Sequence, residues 1–308
     1  MKAAISLFAP ASVANISCGY DVLGLCLESV GDTMHFEKNS SGKVVLHQID
    51  GTDLPLEPTK NVAGVAALAY LKAQGITEGC TISIKKGILP GSGIGSSAAS
   101  AVGAVVGVNA LFGSPLSRAA LLPYALEGEA IASKARHADN IAPALLGGIC
   151  LVRSTTPLET LALPCPKDLH IVVIHPQIEV KTAAARALIG NHVPLPKTIQ
   201  QAANLGAFVH ALHTADYSLM GRAVEDHIAE PHRKQLIPHF DTLKAAAMEA
   251  GATACGISGA GPSVFALAQG NSKAQAVVDA FDKVYQTTTI QYTLHSSKIN
   301  PEGVRLLY

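Results

Sequence analysis

The segment Pro90-Gly91-Ser92-Gly93-Ile94-Gly95-Ser96-Ser97-Ala98-Ala99-Ser100 constrains this chain more than any other, because it joins a strand-like run to a helix-like run through glycines and hydroxyls. Thr81-Ile82-Ser83-Ile84-Lys85 alternates as a strand does, and Ala98 to Leu111 is rich in Ala and Val and long enough for a helix. Between them, glycines let the backbone approach an oxyanion and turn its N–H groups inward, and the following helix adds the positive end of its dipole. No Asp or Glu stands between Glu78 and Glu127, so nothing in the stretch repels a polyphosphate. A plain glycine turn capped by Ser96 or Ser97 would read the same way. The segment is not a Walker loop, since Gly95 is followed by Ser96 and Ser97 with no lysine. A dinucleotide fingerprint fits only as Gly93-x-Gly95-x-x-Ala98, and the carboxylate expected about 20 residues later is missing. His-Arg-Asp and Asp-Phe-Gly triplets are absent, which removes the protein kinases.

With 308 residues, 48% of them hydrophobic, the chain can bury a core large enough for two domains. Its formal net charge is zero and only 15% of residues are charged, so it offers neither a basic field for nucleic acid nor a polybasic patch for a membrane. The uncharged run from Gly87 to Ser117 is broken by Pro90, Pro115, glycines and Asn109, which suits a buried helix rather than a membrane span. Pro10, Asn15 and Asp21 interrupt the N-terminal apolar run before a signal-peptide core forms. Six cysteines without a Cys-x-x-Cys pair read as reduced core residues of a cytoplasmic protein.

The pattern along the chain is α+β. Strands are expected at Met34–Glu37, Lys43–Gln48 and Thr81–Ile84, and helices at Val62–Gln74, Ala98–Leu111 and Leu116–Ala135. Val152 to Pro166, with Thr155, Thr156, Pro157 and Pro164, reads as an edge between halves and puts a boundary near residue 165. Beyond it come a strand at Leu169–Ile174, a helical middle, and strands around Ser263–Ala268 and Thr287–Leu294. A second glycine turn, Gly256-Ile257-Ser258-Gly259-Ala260-Gly261-Pro262-Ser263, is a strand connector by itself and half of a shared ligand site when taken with the first.

Near the N-terminus lies Ala9-Pro10-Ala11-Ser12-Val13-Ala14-Asn15-Ile16-Ser17-Cys18-Gly19-Tyr20-Asp21-Val22-Leu23-Gly24-Leu25. In order and spacing, this segment, Pro90–Ser100 and Gly256–Leu267 resemble the three signature motifs of the GHMP kinases. The run Glu129-Ala130-Ile131-Ala132-Ser133-Lys134-Ala135-Arg136-His137-Ala138-Asp139-Asn140-Ile141-Ala142-Pro143-Ala144, ending at Gly147-Gly148, is most similar to the homoserine kinases among them. Sugar and mevalonate kinases of the superfamily place an aspartate where this chain has Asn140. Val13, Cys18 and Tyr20 depart from the usual pattern and bear on packing around Asn15 and Asp21.

The resemblance implies a two-domain GHMP kinase fold: an N-terminal domain like ribosomal protein S5 domain 2 over residues 1–165 and a ferredoxin-like C-terminal domain over 166–308. It implies ATP between them, a small-molecule acceptor such as L-homoserine on the route to threonine, and a homodimer. Pro90, Gly91, Ser92, Gly93, Ile94, Gly95, Ser96, Ser97 and Ala98, with Gly259 and Gly261, would surround the nucleotide, and Asn61 would lie against the adenine. Ser97 and Glu129 would hold Mg2+, a hydroxyl and a carboxylate suited to a hard ion that keeps several waters. Arg186 and Arg233 would bind the acceptor carboxylate, for which a guanidinium fork is well shaped. Asp21 and Asp139 would face its ammonium, Asn15 and Asn140 would orient its hydroxyl, Thr182 would sit by the transferred phosphoryl group, and His137 would position Asp139 or the acceptor. Asn140, Thr182, Ser97 and Glu129 form the expected catalytic set.

Read without the resemblance, Ser97 is a helix cap, Glu129 a solvated helix residue, Asn61 an N-cap, and the arginines surface ion-pair residues. His210 and His213 lie one helical turn apart with no third ligand near, as surface histidines do. A kinase for another small alcohol and a nucleotide-binding regulator without catalysis are the rival functions. Asn140 with the two arginines speaks against the first, and retention of Ser97 with Glu129 against the second.

Overall fold

The structure is a computed structural model and describes every residue except 1, 2, 114, 115, 134–136, 191 and 308. Strands β1 (Ala4–Ala14), β2 (Leu23–Asn39) and β3 (Val44–Asp50) are followed by α1 (Val62–Ala73), β4 (Gly79–Lys85), α2 (Ser96–Leu111), α3 (Arg118–Ser133) and α4 (Ile141–Leu146). Then come β5 (Ile149–Thr155), β6 (Leu158–Leu163), β7 (Leu169–Pro176), α5 (Thr182–Ala187), α6 (Leu195–Thr214), α7 (Tyr217–Ala223) and α8 (Glu230–Arg233). The chain closes with α9 (Phe240–Glu249), β8 (Ala254–Ile257), β9 (Val264–Gln269), α10 (Asn271–Gln286), β10 (Tyr292–Lys298) and β11 (Arg305–Leu307).

The first sheet runs β11-β1-β2-β4-β3, with β5 paired to the start of β2 and β6 to β5. Leu7, Met34 and Phe36 pack their buried side chains in one core with Val102, Val105 and Val108 of α2. That helix is buried almost all round, which is why it is built of Ala, Val and Gly without a charge. Among the described residues no helix is long and apolar enough to cross a membrane.

The second sheet runs β10-β7-β9-β8, every pair antiparallel, the strand order of a ferredoxin-like unit. Val172, Ile174 and Ala266 pack against α9 and α10 through Leu243 and Phe281. Ile171, Val173 and Phe265 pack toward α6 and α7, where Phe208 and Met220 continue into the core of the first sheet. Buried on both faces, β7 carries the unbroken apolar run Ile171–Ile174 between two buried histidines, without alternation.

Three expectations from the sequence are corrected. Val152 to Pro166, read as an edge between halves, is largely a paired hairpin: Thr155 pairs with Leu158 and Val152 with Thr160, so Thr156-Pro157 marks its turn. The strand expected at Thr287 begins only at Tyr292, because α10 runs on to Gln286. Finally, the tail crosses back over the expected division at residue 165. Phe8 pairs with Arg305, Leu27 bridges Ile299, and Asn300 exchanges backbone hydrogen bonds with Cys26 and Gly148. The end of the helix expected to reach Ala135 lies outside the described residues, as do Lys134 and Arg136.

Candidate active site

A cleft of about 310 Å3 opens between the two sheets, lined from both halves of the chain. Its floor is the glycine segment. Gly91, Gly93 and Gly95 have φ of 73°, 82° and 74°, a region closed to most side chains, and α2 begins at Ser96 with its first N–H groups at the cleft. A Cβ on Gly95 would lie 2.3 Å from Ser12 Oγ and 3.0 Å from Asn140 Oδ1, so only glycine permits this approach. The segment is held from three sides. Ser258 Oγ donates to the Gly93 carbonyl (2.7 Å), Ser263 Oγ to that of Ser92 (2.6 Å), and the Ser12 N–H to that of Ile94 (3.2 Å). The second glycine turn therefore buttresses the first as well as lining the cleft with Gly259 and Gly261.

Beneath the segment lies a buried ion pair that the sequence analysis did not single out. Lys86 contacts Asp32, and their side chains are 1% and 0% exposed. Lys86 Nζ also donates to the Ser96 carbonyl (3.2 Å) and Ser100 Oγ (3.0 Å), while Asp32 Oδ1 accepts from the N–H groups of Gly87 (3.0 Å) and Ile88 (3.1 Å). Burial pushes the aspartate pKa up and the lysine pKa down, and each partner opposes the other's shift. The pair anchors both ends of the glycine segment. Lys86 beside Gly87 was a visible signal; Asp32, distant in sequence, gave none.

Ser97 and Glu129 meet at the mouth of α2, joined by a hydrogen bond. Burial pushes the Glu129 carboxyl up to about 7, the bond to Ser97 opposes this, and nearby Asp139 adds to it. Asp139 is likewise raised to about 7, chiefly by burial and then by the charge of Asp21. A site holding two reluctant carboxyls and a hydroxyl fits a hard cation, which would favour their ionised forms. Among the described residues no three His, Cys, Asp or Glu side chains converge, so such an ion would complete its shell with water and phosphate oxygens.

The opposite wall is made of side chains. Arg186 Nη2 donates to both carboxylate oxygens of Asp21 (2.7 and 2.9 Å), and His137 Nδ1 lies 3.8 Å from Asp21. Burial lowers the His137 pKa; the charge of Asp21 works against that and both arginines reinforce it. Arg233, only 3% exposed, donates to the carbonyls of Ala185 (3.3 Å) and Gly259 (3.0 Å) and to Tyr20 Oη (3.2 Å). Both guanidinium groups lie over the Tyr20 ring, at 5.6 Å for Arg186 and 5.2 Å for Arg233. Asn15 Nδ2 donates to the same Gly259 carbonyl (2.8 Å), and Asn15 Oδ1 accepts from the Asp21 N–H (2.9 Å). Asn140 accepts from Ser12 Oγ through Oδ1 (2.8 Å), which turns the amide so that Nδ2 is the end left out of that bond.

Most residues expected at the site line this one cleft, including Pro90, Gly91, Ser92, Ser96, His137, Asp139, Asn140 and Thr182. Ile94 and Ala98 turn their side chains into the core instead. Asn61 lines the cleft and also caps α1, accepting from the Ala63 N–H (2.9 Å) and donating to the Pro55 carbonyl (2.9 Å). His210 and His213 are exposed on α6, away from the cleft.

Residues 61–148 match the family described as GHMP kinases N terminal domain, and residues 208–287 match GHMP kinases C terminal. The chain is 40% identical to the homoserine kinase of Chloroherpeton thalassium, covering 97% of this chain and 98% of that one. It is similar to the crystal structure of homoserine kinase from Cytophaga hutchinsonii, with 42% identity, a TM-score of 0.96, and coverage of 100% and 98%. A mevalonate kinase from L. major shares the fold at a TM-score of 0.75 and 16% identity, covering 97% of this chain and 98% of that one.

Proposed function

The chain belongs to the GHMP kinase family, and on that premise we propose that it transfers the γ-phosphoryl group of ATP to the side-chain hydroxyl of L-homoserine, giving O-phospho-L-homoserine. One observation carries the reading: across a single cleft, the glycine segment faces Asp21, Arg186 and Arg233, in a chain 40% identical over 97% of its length to a homoserine kinase.

The backbone N–H groups of residues 91–97 and the start of α2 bind the phosphates. When bound at Ser97 and Glu129, Mg2+ supplies charge neutralisation to the phosphate oxygens. Arg186 and Arg233 take the acceptor carboxylate, and Asp21 with Asp139 takes its ammonium. In the structure Asp21 and Arg186 satisfy each other. A zwitterion gives each of them a replacement partner, whereas an acceptor with only one charge strands the other. Asn140 and Asn15 orient the hydroxyl, and Thr182 lies beside the transferred group. The hydroxyl oxygen then forms its bond to the γ-phosphorus as the bond to ADP breaks, and its proton passes to water or to the phosphate. Positioning and charge do most of the work in such a loose transition state, which is why an asparagine suffices at position 140.

The reading also carries a homodimer, to be checked by light scattering, and a cytoplasmic location, supported by six free cysteines of which five are buried. A coupled assay for ADP over homoserine, mevalonate, galactose and shikimate tests the substrate. Turnover with homoserine far above the other three is expected; preference for any other member of the panel overturns the assignment.

A further inference from the structure

Gln201 sits on α6, outside the cleft wall, and is 6% exposed. Its Nε2 donates to the carbonyls of Ser17 (3.1 Å) and Cys18 (3.0 Å), and its Oε1 accepts from the backbone N–H of His227 (2.8 Å). All three partners are main-chain groups, so the orientation of the amide is fixed by its neighbours. One side chain thus joins two segments far apart in sequence. The first is the turn that carries Asn15, Tyr20 and Asp21. The second leads through Asp226 into α8, where Asp226 accepts from the N–H groups of Ile228 (2.8 Å), Ala229 (2.8 Å) and Glu230 (3.0 Å) and so sets the helix that ends at Arg233.

The turn needs holding. Asn15, Ile16 and Ser17 have φ of 71°, 44° and 54°, three consecutive non-glycine residues in the left-handed region, and the middle one is β-branched. Such a backbone persists only where its surroundings over-determine it. Gln201 grips this turn at its strained end while its other end grips the Arg233 segment. The two segments meet again inside the cleft, where Asn15 and Arg233 share the Gly259 carbonyl and Arg233 reaches Tyr20.

We propose that Gln201 is a positioning residue for the acceptor: it fixes the Asn15–Asp21 turn relative to Arg233 and thereby sets acceptor affinity without touching the acceptor. This rests on the homoserine kinase reading above. Replacing the amide by an apolar chain of similar length removes all three hydrogen bonds and leaves the two segments joined only through Gly259 and the Arg233–Tyr20 contact. The nucleotide wall, held by Ser258, Ser263 and Lys86, has no contact with Gln201 and is expected to stay in place.

The test is steady-state kinetics of Gln201→Met and Gln201→Glu beside Phe208→Leu, a control in the core on the same helix. Gln201→Met is expected to raise the KM for homoserine about tenfold or more while the KM for ATP stays within about twofold and kcat changes less than the homoserine KM. Gln201→Glu keeps an acceptor for His227 but loses both donations, and is expected to raise the homoserine KM as well; it decides the matter if the methionine variant does not fold. Phe208→Leu, at a similar loss of Tm, is expected to leave both KM values near wild type. An unmoved homoserine KM in the Gln201 variants overturns the proposal, as does an equal rise for both substrates or the same rise in the control. Wild-type turnover of homoserine checks the underlying reading separately, so a failure there is distinguishable from a failure of Gln201.

Discussion

On the side of the cleft proposed for the nucleotide the lining is chiefly the glycine segment and the start of α2, whereas on the side proposed for the acceptor it includes the side chains of Asp21, His137, Arg186 and Arg233. The first wall is fixed by contacts that tolerate no change, such as the space a Cβ on Gly95 would need and the fully buried pair beneath it. Contacts on the second are longer-sided and partly open, with Asp21 and Arg186 at 30% and 40% side-chain exposure. A wall made of backbone suits a polyphosphate, which needs N–H donors rather than particular side chains. One made of side chains can be rebuilt for a new acceptor without disturbing the fold.

The sharpest way to break the comparison is to remove one partner of each wall's ion pair. Lys86→Met leaves Asp32 buried without its counter-charge and is expected to cost about 3–5 kcal/mol in urea unfolding. Arg186→Leu, at a partly exposed pair, is expected to cost no more than about 1 kcal/mol. Equal losses would mean the two walls are built alike. Next in size, Glu129→Gln should keep ATP binding close to wild type and reduce turnover on the order of 100-fold or more. Activity within a fewfold of wild type at saturating Mg2+ would remove Glu129 from the metal site.

Arg233→Leu sharpens the contrast within the kinetics. Loss of a charge-assisted contact should raise the homoserine KM roughly 10- to 100-fold and leave the ATP constant in place. Movement of the ATP constant instead would put Arg233 on the nucleotide side. For Asn140→Asp no gain in turnover is expected, since the hydroxyl needs orientation more than a base and the new charge would sit beside the phosphates. Faster turnover with a new acidic limb in the pH profile would show that a general base was the missing element.

A further effect lies outside both walls and gives them a baseline. Burial, with a contribution from His295, lowers the His175 pKa to about 4. Between that value and the usual one near 6.5 the unfolded chain binds more protons than the native one. The His175 contribution to stability should therefore be lost as pH drops from about 6.5 to about 4, against the opposite contribution of the raised Glu129 and Asp139 carboxyls. His175→Gln should remove this component, so that the variant's urea midpoint rises relative to wild type as pH falls below about 6.5; a difference between the two that stays constant with pH would clear His175 of the effect.

The same contrast governs what could be read from the sequence. The glycine segment announced itself because its chemistry is local: turn, hydroxyls and helix are consecutive. Strands with one clean alternation, such as Gly79–Lys85, were legible for the same reason. Asp32 was not, because one acid in a strand resembles any solvent-facing residue until the sheet brings Lys86 against it. Gln201 was invisible likewise, since its partners are backbone groups contributed by two other segments. Within Val152–Pro166 the proline at 157 marks a tight turn of a hairpin, which the composition of the stretch did not reveal. The return of the tail to β1 needed the tertiary structure, for three residues at the chain end carry too little pattern to declare a partner.

A crystal structure of the protein with a non-hydrolysable ATP analogue, Mg2+ and homoserine tests the division of the cleft most directly. Expected are phosphates against the N–H groups of residues 91–97, the metal on Ser97 and Glu129, the homoserine carboxylate on Arg186 and Arg233 with the Asp21–Arg186 contact opened, and its hydroxyl beside Asn140. Homoserine bound elsewhere, or bound with the Asp21–Arg186 contact intact and its carboxylate away from both arginines, would contradict the assignment of the acceptor wall.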